Sequence, residues 1–172
     1  ITDTHAVPLN PKGFLSDHRF HNIVPKTKKY VELIWGILNG TFTFLCAEFG
    51  GKQFGGRGID SVATDVYEVA QLPFLNPEAV PEEIATEIVD AVHKIADRPI
   101  LPVLEEVNQP DRQALDDAVL EAIGFNDPEE REKVLAELYD AACQRVESRF
   151  ERARSTQHPG EKRPRPNAEA IA

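Results

Sequence analysis

The sequence predicts a helix-dominated α+β fold, and three observations carry that reading. Apolar residues recur at helical spacing through most of the chain, nine consecutive residues hold five of its ten glycines, and short segments beside that cluster have strand character. With 172 residues, 41% of them hydrophobic, the chain has the length of one domain and enough apolar side chain for a core.

Residues 1–17 read as an irregular leader with Pro8, Pro11 and Gly13. Arg19–Val24 alternates well enough for one short strand. From Lys28 an apolar run begins, with Val31, Leu33, Ile34, Trp35, Ile37 and Leu38, then Phe42, Phe44, Leu45 and Phe49. It is apolar on most faces and predicts buried helix. Asn39-Gly40 in its middle predicts a kink, or two helices meeting at a tight corner. Gly50–Gly58 is too rich in glycine for regular structure. A short strand at Ile59–Ala63 and a helical turn at Thr64–Ala70 are expected next, and Gln71–Pro77 closes a first unit spanning 18–80.

The second unit, 81–154, reads as acidic helices. Pro81, Glu82 and Glu83 suit a helix start, and Ile84, Ile88, Val92 and Ile95 mark one face. Arg98–Pro110 carries three prolines and reads as a linker. Residues 112–123 form a short helix stopped by Gly124. Asp127-Pro128-Glu129-Glu130 resembles a capping box and opens a long helix to about Arg154. Residues 155–172 are a polar, proline-rich tail.

Charge separates these units. The formal net charge is -10, but residues 1–60 carry an excess of two positive charges and residues 61–150 an excess of fourteen negative ones. Such a surface argues against general nucleic-acid binding and leaves room for a local basic site in the first third. No stretch approaches about 18 consecutive apolar residues, as a membrane helix requires. No secretory signal pattern is legible, and Cys46 and Cys143 lie in apolar surroundings, so buried thiols in a cytoplasmic protein are expected. The chain opens on Ile1 and has no methionine, which predicts a piece of a longer protein.

Candidate chemistry is sparse. His5, His18 and His21 lie near Asp17, but no further ligand falls at metal-binding spacing, and no metal site is expected. The pairs Glu82-Glu83, Glu105-Glu106, Asp116-Asp117 and Glu129-Glu130 are explained by solvation and the helix dipole. No nucleophile–base arrangement is readable. The glycine-rich segment follows a helix rather than a strand, the reverse of a nucleotide loop. It carries Lys52, Gln53 and Arg57, long donors suited to phosphates and base edges. Tight turns and wet side chains explain the same residues equally well.

The order of these pieces resembles the C-terminal, target-recognition part of N6-adenine DNA methyltransferases of type II restriction–modification systems. Arg19-Phe20-His21-Asn22-Ile23-Val24-Pro25-Lys26 looks like that family's "R-F-hydrophobic-P-K" opening. Leu33–Thr41 resembles its "ALLNST" helix, followed by an apolar run and a Glu, here Phe42–Glu48. Gly50–Asp60 matches "G-x-x-x-x-G-x-G-hydrophobic", and Asp65–Val69 with Leu72-Pro73 resembles "V-x-D-L-x-x-L-P". Leu115–Phe125 looks like "LDDLVFDALGL", and Arg145–Ala153 ends in the "R-x-x-x-(R/K)-x-x-x-A" manner. Gly40 stands where serine is usual in the family, and the "(D/N)-P-P-(Y/F)" methyl-transfer loop is absent, since the chain has no Pro-Pro pair.

The resemblance implies a DNA-recognition piece that performs no methyl transfer itself. Double-stranded DNA and an upstream methyltransferase domain would be its partners, and S-adenosylmethionine would bind upstream, with no cofactor in this piece. Charge and loop chemistry nominate Lys52, Gln53 and Arg57 for DNA contact, with Lys26, Lys28 and Lys29 positioning the backbone. The competing expectation is an acidic helical module that binds protein and not DNA.

Overall fold

The apolar run between Val31 and Gly50 is too long to stay buried as one straight rod in so small a protein, and it breaks at Gly40. Helix α1 (Val31–Asn39) follows a 3-10 turn at Lys28–Tyr30, and α2 (Thr41–Gly50) leaves it at 68°. Gly40 itself is extended. This is the tight corner that Asn39-Gly40 predicts. The computed structural model describes residues 3–13, 22–50, 52–54, 61–63, 70–71 and 73–157, with 52–54, 61–63 and 153–157 described as backbone alone.

A three-residue strand, β1 (Lys52–Phe54), pairs antiparallel with β2 (Ser61–Ala63), setting Lys52 opposite Ala63 and Phe54 opposite Ser61. A 3-10 turn at Pro77–Ala79 is capped by Asn76, whose side chain accepts from the Glu78 N–H. Then come α3 (Glu82–Ala96), the single turn α4 (Val103–Glu106), α5 (Pro110–Ile123) and α6 (Pro128–Gln157). Gly124 has a φ of 120°, a backbone that L side chains rarely adopt, and its N–H and that of Phe125 close back on Leu120. Asp127 caps α6 by accepting from the Glu129 N–H at 3.1 Å. Thirty residues make α6 about 45 Å long.

Two hydrophobic clusters hold these helices together. The first joins Leu33 and Ile37 of α1 to Ile88, Ala91, Val92 and Ile95 of α3 and to Leu115, Ala118 and Val119 of α5. The second joins Phe44 and Leu45 of α2 to Val103 and Val107 and to Ala142 and Val146 of α6. Both clusters draw on residues before and after position 80.

The α+β expectation is therefore corrected: the fold is helical. Among the described residues, α1 to α6 and Val107 just after α4 supply both clusters, and the two strands form one antiparallel pair of three residues each. The strand signals near the glycines span too few residues to offer a face that a layer could pack on. Of the strand expected at Arg19–Val24, residues 19–21 lie outside the described residues and Asn22–Val24 belong to no regular element. Regular structure does reach into the glycine-rich segment, at Gly50 and Lys52–Phe54. The Arg98–Pro110 linker is corrected too. Pro102 precedes α4 and Pro110 begins α5, both positions where a helix tolerates proline. Val103, Glu106 and Val107 between them are buried. The turn expected at Thr64–Ala70 falls almost wholly outside the described residues, as does the tail after Gln157.

Gly36 marks the closest approach of α1 to α3. A Cβ there would meet Ile88 Cγ2 at 2.5 Å and the Ile88 carbonyl at 3.3 Å, and Ile88 has no exposed surface into which to move. Gly→Ala inside a helix ordinarily stabilises by up to about 1 kcal/mol. Here overpacking outweighs that gain, and Gly36→Ala is expected to destabilise by about 1–3 kcal/mol in urea unfolding. An unchanged or raised midpoint would show that α1 and α3 are not in this contact.

Candidate functional site

The nominated basic residues fall in two places. Lys26, Lys28 and Lys29 are exposed on the turn that leads into α1, and Lys29 Nζ lies 4.4 Å from the Tyr30 ring centroid. Three cations at a helix N-terminus run against the helix dipole, so they do not serve α1 locally. Lys52 and Gln53 lie on β1, opposite Ala63 and Val62. Arg57 is outside the described residues, as are His18, His21 and Asp17. Exposed apolar side chains flank these places: Ile23 and Val24 before the lysines, and Phe49 three residues before β1, with the Arg145 guanidinium 5.7 Å from its ring centroid.

A polar network lies inside the α1–α2 corner. Asp116 of α5 is 1% exposed and accepts from the Thr41 N–H at 2.7 Å, the Thr41 hydroxyl at 2.6 Å and the Tyr139 hydroxyl at 3.2 Å. It thus caps α2 from 75 residues away in sequence. Burial raises its carboxyl above the usual range, against the pull of Arg112 and the Thr41 and Tyr139 donors. Burial and the neighbouring Asp116 charge raise the Tyr139 phenol in turn.

One helical turn back, Arg112 donates to the Asn39 carbonyl at the end of α1 and to Glu106 Oε1 through Nε and Nη2, at 3.1 and 3.0 Å. Arg98 grips the same Glu106 at 2.8 and 3.0 Å and forks onto Asp111 at 2.6 and 2.9 Å. Burial works to raise the Glu106 carboxyl, but the two guanidiniums bring it below its ordinary value. The Arg98 hydrogen bond does the same for Asp111. Elsewhere Glu48 of α2 is buried between Arg145 and Arg149 of α6, at 3.1 and 2.7 Å. Arg131 ties the α5–α6 turn to Asp117, Glu121 and the Phe125 carbonyl.

His5, Thr41, Phe44, Val103, Glu106, Val107 and Arg112 line a small cleft against this network, with an interior of about 10 Å³, near the size needed for one water. His5 Nε2 bonds the Leu38 carbonyl at 3.0 Å, and its ring is tilted against Phe44 at 5.3 Å. Burial lowers its pKa to about 4, and Arg112 adds to the effect. Cys46 and Cys143 are free and half-buried, and burial pushes both thiols up, away from reactivity. Among the described residues no three His, Cys, Asp or Glu side chains gather as a metal group, and no single helix is long and apolar enough to cross a membrane.

Reading Glu105-Glu106 and Asp116-Asp117 as solvated pairs missed half of each. Arg112, Asp116 and Leu120 follow one another at i, i+4 beside Leu115 and Val119. That spacing places a basic and an acidic residue on an apolar face, a signal for a buried polar network. Comparison with models of known protein families, with curated proteins and with solved structures finds no match.

Docked His5 is neutral, so acid opposes docking. The undocked imidazole takes its proton near pH 6.5, the docked one only near 4. The docked state is at full strength above pH 6.5 and weakens as pH falls from 6.5 to about 4, by about 3 kcal/mol in all. Urea unfolding of wild type against His5→Gln across that window is expected to show the extra slope in wild type alone. Parallel curves would mean that His5 is not held neutral in the cleft.

Proposed function

We propose that this chain is a DNA sequence-recognition piece of an N6-adenine DNA methyltransferase in a restriction–modification system. On this reading S-adenosylmethionine and the methyl-transfer loop belong to another part of that enzyme, and the piece itself is not catalytic. The motif order in the sequence suggests the class. The observation that carries it is the division of positive charge. Between residues 81 and 150 every arginine is engaged in ion pairs within the fold (Arg98, Arg112, Arg131, Arg145 and Arg149), leaving Lys94 and Lys133 exposed on acidic helices. Lys26, Lys28 and Lys29 are exposed together, with no ion pair within 4 Å to a described residue, and they support phosphate contact there. Lys52, Gln53 and Arg57 are proposed to meet bases or phosphates, and the acidic helices to brace this face or dock the methyltransferase domain.

The fourteen-charge acidic excess of residues 61–150 favours a second reading, an acidic module that binds protein and not DNA.

Anisotropy of a labelled random-sequence duplex at about 50 and about 200 mM salt separates the two. Salt-sensitive binding is expected. Substituting Lys26, Lys28 and Lys29 together by alanine should flatten the salt dependence by about two to three in log–log slope, and Lys52→Ala with Arg57→Ala should weaken binding further. A folded chain that binds no duplex at the lower salt would favour the acidic module. Binding that survives both sets of substitutions would place the DNA surface elsewhere.

A further inference from the structure

Residues 3–7 run along the α1–α2 corner outside any helix or strand. The corner holds them mainly by their backbone. The Asn39 carboxamide accepts from the Val7 N–H at 2.9 Å and donates to the Val7 carbonyl at 3.0 Å, as the edge of a neighbouring strand would. Trp35 Nε1 donates to the same carbonyl at 2.8 Å, and the Val103 N–H donates to the Asp3 carbonyl at 2.6 Å. The side chain that the cleft reads is His5, through the Leu38 carbonyl and the Phe44 ring.

The clamp residue Asn39 is also held from within the protein. Asn39 Nδ2 also donates to the Trp35 carbonyl at 2.9 Å, Arg112 holds the Asn39 carbonyl, and Asn39 is buried. Past the clamp, Pro8 and residues 10–13 are exposed. A preformed site, main-chain hydrogen bonds and one side-chain subsite are the features of β-type peptide recognition.

We propose that this corner is a docking groove for an extended polypeptide segment, and that the chain's own residues 3–7 are its exchangeable occupant. The groove reads one residue's backbone N–H and C=O at Val7 and one imidazole at His5. It is indifferent to the Val7 side chain, and it stands or falls independently of the DNA reading.

Trp35 is the chain's one tryptophan, so its indole N–H gives a single, assignable resonance in the ¹⁵N-labelled full chain. Val7→Ala should leave that resonance in place. Val7→Pro, which removes the N–H, should shift it while circular dichroism keeps its helical signal. An unlabelled peptide of residues 1–10 at about 1 mM, the scale of a tethered segment's effective concentration, should return it toward the wild-type position. The same peptide carrying Val7→Pro should bind about tenfold more weakly, the worth of roughly one hydrogen bond. His5→Ala keeps every backbone donor and gives a smaller shift that the peptide also reverses; it decides the matter if Val7→Pro loses helix. A resonance unmoved by Val7→Pro in a folded chain would overturn the groove. A shift that neither variant lets the peptide reverse would overturn exchange.

Discussion

The Asp116 carboxyl accepts from the backbone and hydroxyl of Thr41 and from Tyr139, and so binds α5 to both α2 and α6 where the apolar run reverses. Each hydrophobic cluster holds only some of the helices: α1, α3 and α5 in one, α2, α4 and α6 in the other. Polar contacts join them. Arg112 reaches from α5 to the end of α1 and to Glu106 of α4, and Arg98 closes the chain onto Asp111. Apolar contact is indifferent to direction, whereas a carboxyl that must receive three donors specifies one corner angle. Gly40 belongs to the same constraint, since a Cβ there would stand 3.4 Å from Asp116 Oδ1 and 3.3 Å from the Ile37 carbonyl.

Much of the helical frame was legible in the residues. The Ile84–Ile95 face, the stop at Gly124, the Asp127 cap and the break at Gly40 rest on local rules, and local rules survive folding. The features that were not legible depend on partners far away in sequence. Asp116 and Asp117 look alike in the chain, yet about 100° of helix rotation puts one under the corner and the other beside Arg131. Residues 3–7 read as irregular because a segment held by its backbone carries no side-chain period to detect. The Arg98–Pro110 stretch misled through its prolines, which stiffen helix starts as readily as they loosen linkers.

The interior arrangement also shapes what the surface can do. Arginine is the side chain best suited to forked contacts with phosphate or guanine. This fold uses its arginines between residues 98 and 149 on its own carboxylates, so the acidic helices keep little cationic reach. The turn before α1 carries three exposed lysines that form no such ion pair with the described residues. That allocation is what supports the proposed division of labour, with basic residues near the N-terminus for DNA and acidic helices for bracing.

The claim that a buried carboxyl organises this fold is tested most directly by two adjacent substitutions. Asp116→Ala would strand the Thr41 and Tyr139 donors in the interior, and urea unfolding is expected to show a loss of about 3–5 kcal/mol. Asp117, 43% exposed, shares Arg131 with Glu121 and two backbone carbonyls, so Asp117→Ala should cost about 1 kcal/mol or less. Equal losses at the two positions would contradict the account, because neighbours with the same side chain would then be bearing the same load.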